Sequence, residues 1–102
     1  MTKGYWMVHV EVNDTEAFKS YVIAAADVFK KYGAYFLARA GQCKVVEGTA
    51  RSRNTILEFP SYQAAVDCWH CPEYQAVKFL RENAGSVDIT IVEGYDGLQP
   101  GE

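Results

Sequence analysis

The chain has 102 residues, of which 49% are hydrophobic and 23% charged, and its formal net charge is -3 at pH 7. This composition is typical of one small folded domain and excludes a disordered chain. A weakly acidic chain without a basic run is not expected to bind nucleic acid. No stretch approaches the roughly 18 consecutive apolar residues of a membrane span, so we expect no membrane partner. The three cysteines, an odd count, do not suit a secreted disulfide framework, and no signal peptide is visible. The sequence therefore predicts a cytoplasmic protein with reduced thiols.

The first half of the chain alternates between strand and helix patterns. Residues 4–12 alternate valines with larger and more polar side chains, which predicts a strand. Residues 13–32 place apolar side chains at three- and four-residue spacing, which predicts a helix with its N-cap at Asn13. A second strand is expected over residues 34–39, and extended structure again over residues 43–47.

The second half repeats the alternation. Residues 54–59 predict a third strand, and two short helices are expected at 62–70 and 73–83, separated by a proline. Residues 86–93 alternate apolar and polar side chains and predict the last strand. Residues 95–102 contain glycine and proline and are expected to form a loose tail. The order β-α-β-β-α-β, with the second helix broken in two, predicts one α+β domain over the whole chain, with the ferredoxin-like arrangement of an antiparallel sheet and helices on one face.

Strand alternation predicts two different faces for this sheet. The face expected to pack on the helices carries Val8, Val10, Ile89 and Ile91. The opposite face, hereafter the open face, is expected to carry Tyr5, Met7, His9, Glu11, Asn54, Ile56, Glu58, Asp88, Thr90 and Val92, joined by Tyr35, Leu37 and Arg39. This open face is too apolar to remain in water and too polar for a dry core. We therefore expect two copies to pack sheet to sheet as a homodimer. A small semi-polar cavity for a ligand would lie between them; the alternative is a wet interface without a ligand.

Several short segments occur in the order and spacing of a known family. They are Gly4-Tyr5-Trp6, Tyr32-Gly33-Ala34, Arg39-Ala40-Gly41, Val46-Glu47-Gly48, Glu58-Phe59-Pro60-Ser61-Tyr62, Pro72-Glu73-Tyr74-Gln75, Arg81 and Val92-Glu93-Gly94. On these segments the chain resembles, from Gly4 to about Gly97, the bacterial family catalogued as domain of unknown function 1330, in the dimeric α/β-barrel superfamily. The resemblance implies a ferredoxin-like fold that dimerises as an α/β barrel. The wider superfamily includes cofactor-independent monooxygenases, heme-degrading enzymes, muconolactone isomerase-like proteins and stress-response proteins, so the resemblance implies no single activity.

Three residues are candidates for catalysis. His9 has a side chain suited to proton transfer near neutral pH, and Asp88 or Glu58 could orient it. Arg39 could position an anionic substrate through bidentate contacts, as could Arg53. The alternatives are a hydrogen-bonded interface histidine and arginines held in ion pairs within the chain.

A second group of residues is expected to bind a ligand. Its members are Tyr5, Glu58, Trp69, Tyr74 and Arg81, for which packing between helix and sheet is the alternative. Cys68 and Cys71 form a C-x-x-C pair, but it lies at the end of a helix, where the dipole gives Cys68 no activation. With His70 they supply at most three neighbouring ligands, so we expect structural thiols, no metal site and no cofactor.

Three functional hypotheses follow from these residues. In the first, the protein is a cytoplasmic homodimer that binds a small organic or anionic molecule. By analogy with the superfamily it would be a cofactor-independent enzyme of monooxygenase or isomerase type. In the second, it is a non-catalytic, stress-related or accessory dimer. In the third, it is a thiol or metal protein that uses Cys68 and Cys71. An enclosed cavity reached by both His9 and Arg39 would favour the enzyme.

Overall fold

A computed structural model of the chain, describing residues 2–102, contains one four-stranded sheet and a layer of helices. The elements are β1 (Gly4–Val12), α1 (Thr15–Lys31), β2 (Tyr35–Arg39), β3 (Arg53–Phe59), α2 (Tyr62–His70), α3 (Pro72–Lys78), a 3-10 turn (Phe79–Arg81) and β4 (Gly85–Glu93). The strands are antiparallel in the order β2-β3-β1-β4. The ferredoxin-like α+β fold is therefore as predicted. The last predicted helix is shorter than expected, since its α-helical part ends at Lys78.

Helix α1 begins one residue later than the sequence pattern indicated. Its N-cap is Asp14, whose side chain accepts a hydrogen bond from the Ala17 backbone N–H at 3.1 Å. The prediction of Asn13 as the N-cap is wrong, because the side chain that caps the helix is that of Asp14. The backbone N–H groups of Asn13 and Asp14 both donate to the carbonyl oxygen of Ala84, at 2.6 and 3.0 Å. These bonds tie the start of α1 to the segment just before β4.

Strand β2 contains a β-bulge that the sequence did not reveal. Its register with β3 shifts between Phe36 and Ala38, so Leu37 is an extra residue without a partner in the ladder. A bulge of this kind reverses the side on which the following residues project.

Because of this bulge, Arg39 does not lie on the open face. Arg39 pairs with Thr55, and Thr55 pairs with Val8 of β1, whose side chain packs against the core under the helices. The expectation that Arg39 shares a face with His9 is therefore wrong. Tyr35, which precedes the bulge, pairs with Glu58 as expected for the open face.

The connection between β2 and β3 is a long loop rather than a continuing strand. Residues 43–47 form no strand, although extended structure was expected there. The end of the loop is held by side chains of the sheet. Ser52 donates from its backbone N–H and its hydroxyl to the Glu11 carboxylate, at 2.8 and 3.1 Å. Arg51 donates from Nε to Asp88 at 2.7 Å.

The core lies between the sheet and the helices and is centred on Trp6. The Trp6 side chain is fully buried, and its indole N–H donates to the Ala65 carbonyl oxygen at 2.9 Å. The rings of Phe29 and Tyr74 meet Trp6 edge-on, with centroids 5.4 and 5.1 Å away. Helix α2 packs closely on β1, β3 and β4, whereas α1 packs chiefly against α3 and the 3-10 turn. The backbone of α1 therefore lies farther from the strands than that of α2, and α1 reaches the sheet through long side chains such as Phe29.

Two further features complete the described part of the chain. Residues 94–102 contain neither a strand nor a helix. Within residues 2–102, no helix has both the length and the apolar character needed to cross a membrane.

Candidate functional site

A cavity of about 220 Å³ occupies the gap between α1 and the sheet, and we call it the helix–sheet cavity. Most of its lining is apolar. The lining residues are Trp6, Val8, Val10, Phe18, Tyr21, Val22, Ala25, Ala26, Phe29, Phe36, Arg39, Ala40, Arg53, Thr55 and Leu57. An apolar cavity with a few polar groups at one end is the usual form of a small-molecule site.

The polar groups of the helix–sheet cavity come from β2 and β3. Arg39 pairs with Thr55, and Arg53 precedes Thr55 by two residues on the same strand, so all three side chains project from one side of the sheet. Arg39 and Arg53 are exposed, which places them where the cavity meets solvent. The guanidinium of Arg39 lies 4.3 Å from the ring centre of Phe36, and that of Arg53 lies 5.7 Å from the ring centre of Phe18.

Neither guanidinium of the cavity is neutralised by the protein. Among residues 2–102 the ion pairs are Lys31–Glu73 and Arg51–Asp88, and neither involves Arg39 or Arg53. No aspartate, glutamate, histidine or cysteine belongs to the cavity lining formed by the described residues. The chain is acidic overall, yet this cavity carries only positive charge.

Tyr21 is the remaining ionisable group of the lining, and it is held neutral. Its hydroxyl is hydrogen-bonded to that of Tyr74 at 2.7 Å. Burial, followed by the proximity of Tyr74, raises the pKa of Tyr21 far above its ordinary value of 10.0. The cavity is therefore equipped to bind and orient a molecule, and it offers no side chain that exchanges protons near neutral pH.

Three of the predicted ligand-binding residues lie together in the helix layer. Arg81 donates from a terminal guanidinium nitrogen to the Tyr74 hydroxyl at 3.3 Å, and the rings of Trp69 and Tyr74 have centroids 5.4 Å apart. Tyr74 is fully buried, so its contacts stabilise the core. Trp69 and Arg81 also line a shallow cleft of about 390 Å³ beside β4.

The other two predicted ligand-binding residues lie on the open face. Tyr35, Glu58, Tyr5 and Val92 form one row across the four strands. Glu58 is only 8% exposed; its Oε1 accepts a hydrogen bond from the Tyr5 hydroxyl at 3.2 Å, and its Oε2 is buried without a partner among the described residues. Burial, then the hydrogen bond to Glu58, raises the pKa of Tyr5. The proximity of the same carboxylate raises the pKa of Tyr35.

The three predicted catalytic residues are not brought together. His9 and Asp88 lie on the same face of the sheet, as the strand alternation predicted, and they are direct cross-strand partners. His9 is hydrogen-bonded through Nδ1 to Asn54 at 2.7 Å, and Asp88 is paired with Arg51. The two residues line an open concavity of about 530 Å³ at the end of the sheet. Arg39 lines the helix–sheet cavity on the other side.

The C-x-x-C pair has a structural role. Both thiols are free and buried, and burial raises the pKa of Cys68 to about 12, which makes it a poor nucleophile at neutral pH. Cys71 is the N-cap of α3, because its sulfur accepts a hydrogen bond from the Tyr74 backbone N–H at 3.3 Å. The third cysteine, Cys43, is exposed in the loop between β2 and β3.

Sequence reasoning missed the helix–sheet cavity and the place of Thr55 in its lining. Arg53 was recognised as a candidate for anion binding, but the site was expected on the open face. One signal was present in α1: residues 24–26 are three consecutive alanines, and Ala25 and Ala26 line the cavity. Small side chains on the wall of a helix leave space between that helix and the sheet.

Comparison with known proteins gives a family and a set of structural neighbours. The family described as Domain of unknown function (DUF1330) matches residues 3–95. No curated protein matches the chain. A protein of unknown function from Rhodopseudomonas palustris is similar in structure, with a TM-score of 0.75 at 16% identity, covering 94% of this chain and 85% of that one.

Two further solved structures resemble the chain over its whole length. One is SnoaB, a cofactor-independent oxygenase from Streptomyces nogalater, with a TM-score of 0.62 at 8% identity and full coverage of both chains. The other is a dabb family protein with a ferredoxin-like fold from Mesorhizobium loti, with a TM-score of 0.61 at 13% identity, covering 97% of this chain and 100% of that one. At these identities the likeness confirms the fold alone.

Proposed function

Because the chain belongs to the family described as domain of unknown function 1330, whose name assigns no reaction, we propose a function from the geometry: the protein binds a small organic molecule in the helix–sheet cavity. The observation that carries this proposal is the cavity itself, about 220 Å³ of mostly apolar space under α1. An engineered apolar cavity of about 150 Å³ takes up benzene. The helix–sheet cavity therefore suits a molecule with one ring-sized apolar body.

We propose further that the protein is a homodimer in which a second copy covers the open face. Met7 and Val92 are 39% and 41% exposed there, and Tyr35 is exposed beside them. Burial of such side chains stabilises an interface by about 25 cal/mol per Å² of apolar area. The polar groups His9 and Asp88 already have partners within the chain, which supports the interface role of this face over the ligand site first expected between two sheets.

Catalysis by the protein is a second candidate function, favoured by the geometry of His9. Its Nδ1 is occupied by Asn54, which leaves Nε2 for a substrate in the concavity that His9 shares with Asp88. This candidate does not use Arg39, which lies on the other side of the sheet. SnoaB is a cofactor-independent oxygenase. Similar chemistry in the helix–sheet cavity of this protein would draw its reactivity from the ligand, since the lining supplies no acid or base.

A ligand titration followed by NMR tests the binding proposal. Toluene, phenol and benzoate are added to the wild-type protein, and we expect shifts at the Trp6 indole N–H and the Thr55 amide. Val22→Phe fills the cavity from α1 and should abolish these shifts. Ile23→Phe is the matched control, because Ile23 is 67% exposed on the same helix and is not part of the lining. Shifts that persist in Val22→Phe, or no shift with any of the three compounds, would contradict the proposal. Shifts centred on His9 and Asp88 instead would favour the catalytic candidate.

Sedimentation equilibrium tests the dimer. We expect a dimer at micromolar concentrations that becomes a monomer on Met7→Glu, because this change places a charge in the middle of the open face. Ile23→Glu, on the exposed side of α1, should remain a dimer. A monomeric wild-type protein at tens of micromolar would reject the interface.

A further inference from the structure

We infer that the ligand of the helix–sheet cavity is a small organic monocarboxylate with a single ring-sized apolar body, and that Arg39 and Arg53 determine this specificity. The inference rests on the proposed function and adds the chemical class of the ligand. It is carried by the charge of the lining, by the placement of the two arginines and by the volume of the cavity.

The charge of the cavity favours an anion. Two guanidinium groups border an apolar space, and no carboxylate of the described lining balances them. In a chain with a net charge of -3, acidic residues were available to pair with these arginines. Arg51 shows the contrast, since it lies toward the open face and is paired with Asp88. The binding of an anion beside unpaired arginines and a low-dielectric space is electrostatically favourable. A positively charged ligand would be repelled by the same arginines.

The placement of the arginines suits a carboxylate head group. Arg39 is the cross-strand neighbour of Thr55. Arg53 precedes Thr55 by two residues on β3, so its side chain projects from the same side of the sheet. Diagonal cross-strand neighbours of this kind lie about 7 to 8 Å apart, so two long arginine side chains can converge on one group between them. The guanidinium groups lie over the rings of Phe36 and Phe18, at 4.3 and 5.7 Å from the ring centres. A planar guanidinium presents parallel N–H donors, and these match the two oxygens of a carboxylate.

The volume of the cavity limits the body of the ligand. A cavity of about 220 Å³ is roughly half as large again as the engineered cavity of about 150 Å³ that takes up benzene, so it suits a ligand whose body is one ring with a small substituent. The body would contact Val22 and Ala26 of α1 on one side and Val8 of β1 on the other. The carboxylate would remain at the exposed end, where Arg39 and Arg53 lie, so that its desolvation is partial.

The test compares benzoate with benzamide, its neutral analogue of the same shape. Dissociation constants are measured by NMR titration of wild type, Arg39→Gln, Arg53→Gln and the control Arg51→Gln. We expect benzoate to bind wild type at least tenfold more tightly than benzamide. Each cavity arginine variant should weaken benzoate at least fivefold and leave benzamide within twofold of wild type, while Arg51→Gln changes neither. The preference for benzoate should also decrease as salt is raised.

Each remaining outcome overturns a specific part of the inference. Equal affinities for benzoate and benzamide, or arginine variants without effect, overturn the carboxylate specificity and leave the binding proposal standing. Tighter binding of phenylphosphonate than of benzoate overturns the monocarboxylate. Binding of anthracene-9-carboxylate in the same cavity overturns the size limit. If neither benzoate nor benzamide binds, while toluene does, the anion is rejected; if none of the three binds, the proposed function fails as well.

Discussion

His9 and Asn54 form a hydrogen bond in which Asn54 is the acceptor and His9 the donor. A second hydrogen bond, from Asn54 to the backbone, determines these roles. The Asn54 side-chain nitrogen donates to the Arg51 carbonyl oxygen at 3.3 Å, so the amide oxygen is the atom that faces His9. That oxygen lies 2.7 Å from Nδ1 of His9 and can only accept. Nδ1 of His9 therefore carries a proton, and in the neutral ring Nε2 is the free acceptor.

We expect this contact to select one tautomer of the neutral His9 ring. Imidazole ¹⁵N spectra at pH 8 should show a protonated Nδ1 and an unprotonated Nε2 for His9. Asn54→Ala removes the acceptor, and the preference for this tautomer should disappear. His70, which is exposed at the end of α2, serves as the internal control and should be unchanged. A wild-type His9 with its proton on Nε2 would contradict the assignment of the Asn54 amide.

Cys71 stabilises α3 through its sulfur, and a hydroxyl should do so at least as well. Serine is among the most favourable N-cap residues, and replacing a capping residue by alanine costs about 0.5 to 2 kcal/mol. We therefore expect Cys71→Ser to retain the stability of the wild type within about 0.5 kcal/mol, and Cys71→Ala to lose about 1 kcal/mol. Urea unfolding measures both. An alanine variant as stable as the serine variant would show that the contact from Tyr74 to sulfur does not cap the helix.

The three thiols should react at very different rates. Cys43 is exposed, whereas Cys68 and Cys71 are buried, and burial raises the pKa of the Cys68 thiol to about 12. With a disulfide reagent at pH 8, one thiol should react rapidly and two only on unfolding. Cys43→Ser should abolish the rapid phase. Rapid reaction of Cys68 in the folded protein would revive the C-x-x-C pair as a redox site.

The sequence was sufficient for the element order and for the faces of the two central strands. Strand β1 alternates Val8 and Val10 with His9 and Glu11 without interruption, so parity alone places His9 on the same face as Asp88 of β4. Their pairing as direct cross-strand partners comes from the register of the two strands. Capping was less determined, because Asn13 and Asp14 are both favourable cap residues. The backbone N–H groups of both residues donate to the carbonyl oxygen of Ala84, which is remote in sequence, so the start of the helix is positioned by a contact that local sequence does not reveal.

The candidate site could not be predicted because it depends on one inserted residue. In β2, Leu37 and Arg39 alternate with Phe36 and Ala38, and nothing local indicates that Leu37 is a bulge. The bulge arises from pairing with β3, and it moves Arg39 from the open face to the helix side. The cavity also depends on how far α1 stands from the sheet, which is set by packing against α3 and the 3-10 turn. Such distances are not encoded in periodicity.

The ion pair of Lys31 with Glu73 links α1 to α3 and should contribute stability only between two pH limits. The hydrogen bond from Lys31 lowers the pKa of Glu73 below its ordinary value of 4.5, so the contribution is present above pH 4.5 and is lost as the pH falls through the lowered value. The same bond raises the pKa of Lys31 above 10.5, so the contribution is present below pH 10.5 and is lost at higher pH. Both side chains are about half exposed, so the effect is small and screened by salt.

Melting temperatures of wild type and Glu73→Gln across pH provide the measurement. The wild type should be slightly more stable at pH 7 in low salt, and the difference should vanish in acid and in 1 M salt. Glu47→Gln, in the exposed loop between β2 and β3, is the control and should show no such window. A difference that persists unchanged at pH 2 would mean that Glu73 acts by packing and not by charge.

The Tyr74 hydroxyl makes hydrogen bonds with two side chains, so we expect its removal to destabilise the protein more than removal of the Tyr21 hydroxyl. Its hydroxyl is bonded to the Tyr21 hydroxyl and accepts from Arg81, whose buried Nε has no partner among residues 2–102. Tyr74→Phe leaves both the Tyr21 hydroxyl and the Arg81 guanidinium without this contact, and each buried group left unsatisfied costs about 1 to 3 kcal/mol. Tyr21→Phe leaves the bond from Arg81 to Tyr74 in place. We expect urea unfolding to give a loss of about 2 to 4 kcal/mol for Tyr74→Phe and about 1 kcal/mol for Tyr21→Phe. Equal losses would show that the bond from Arg81 contributes nothing, and that the half-buried guanidinium is satisfied by stacking on the Tyr21 ring, 5.2 Å away.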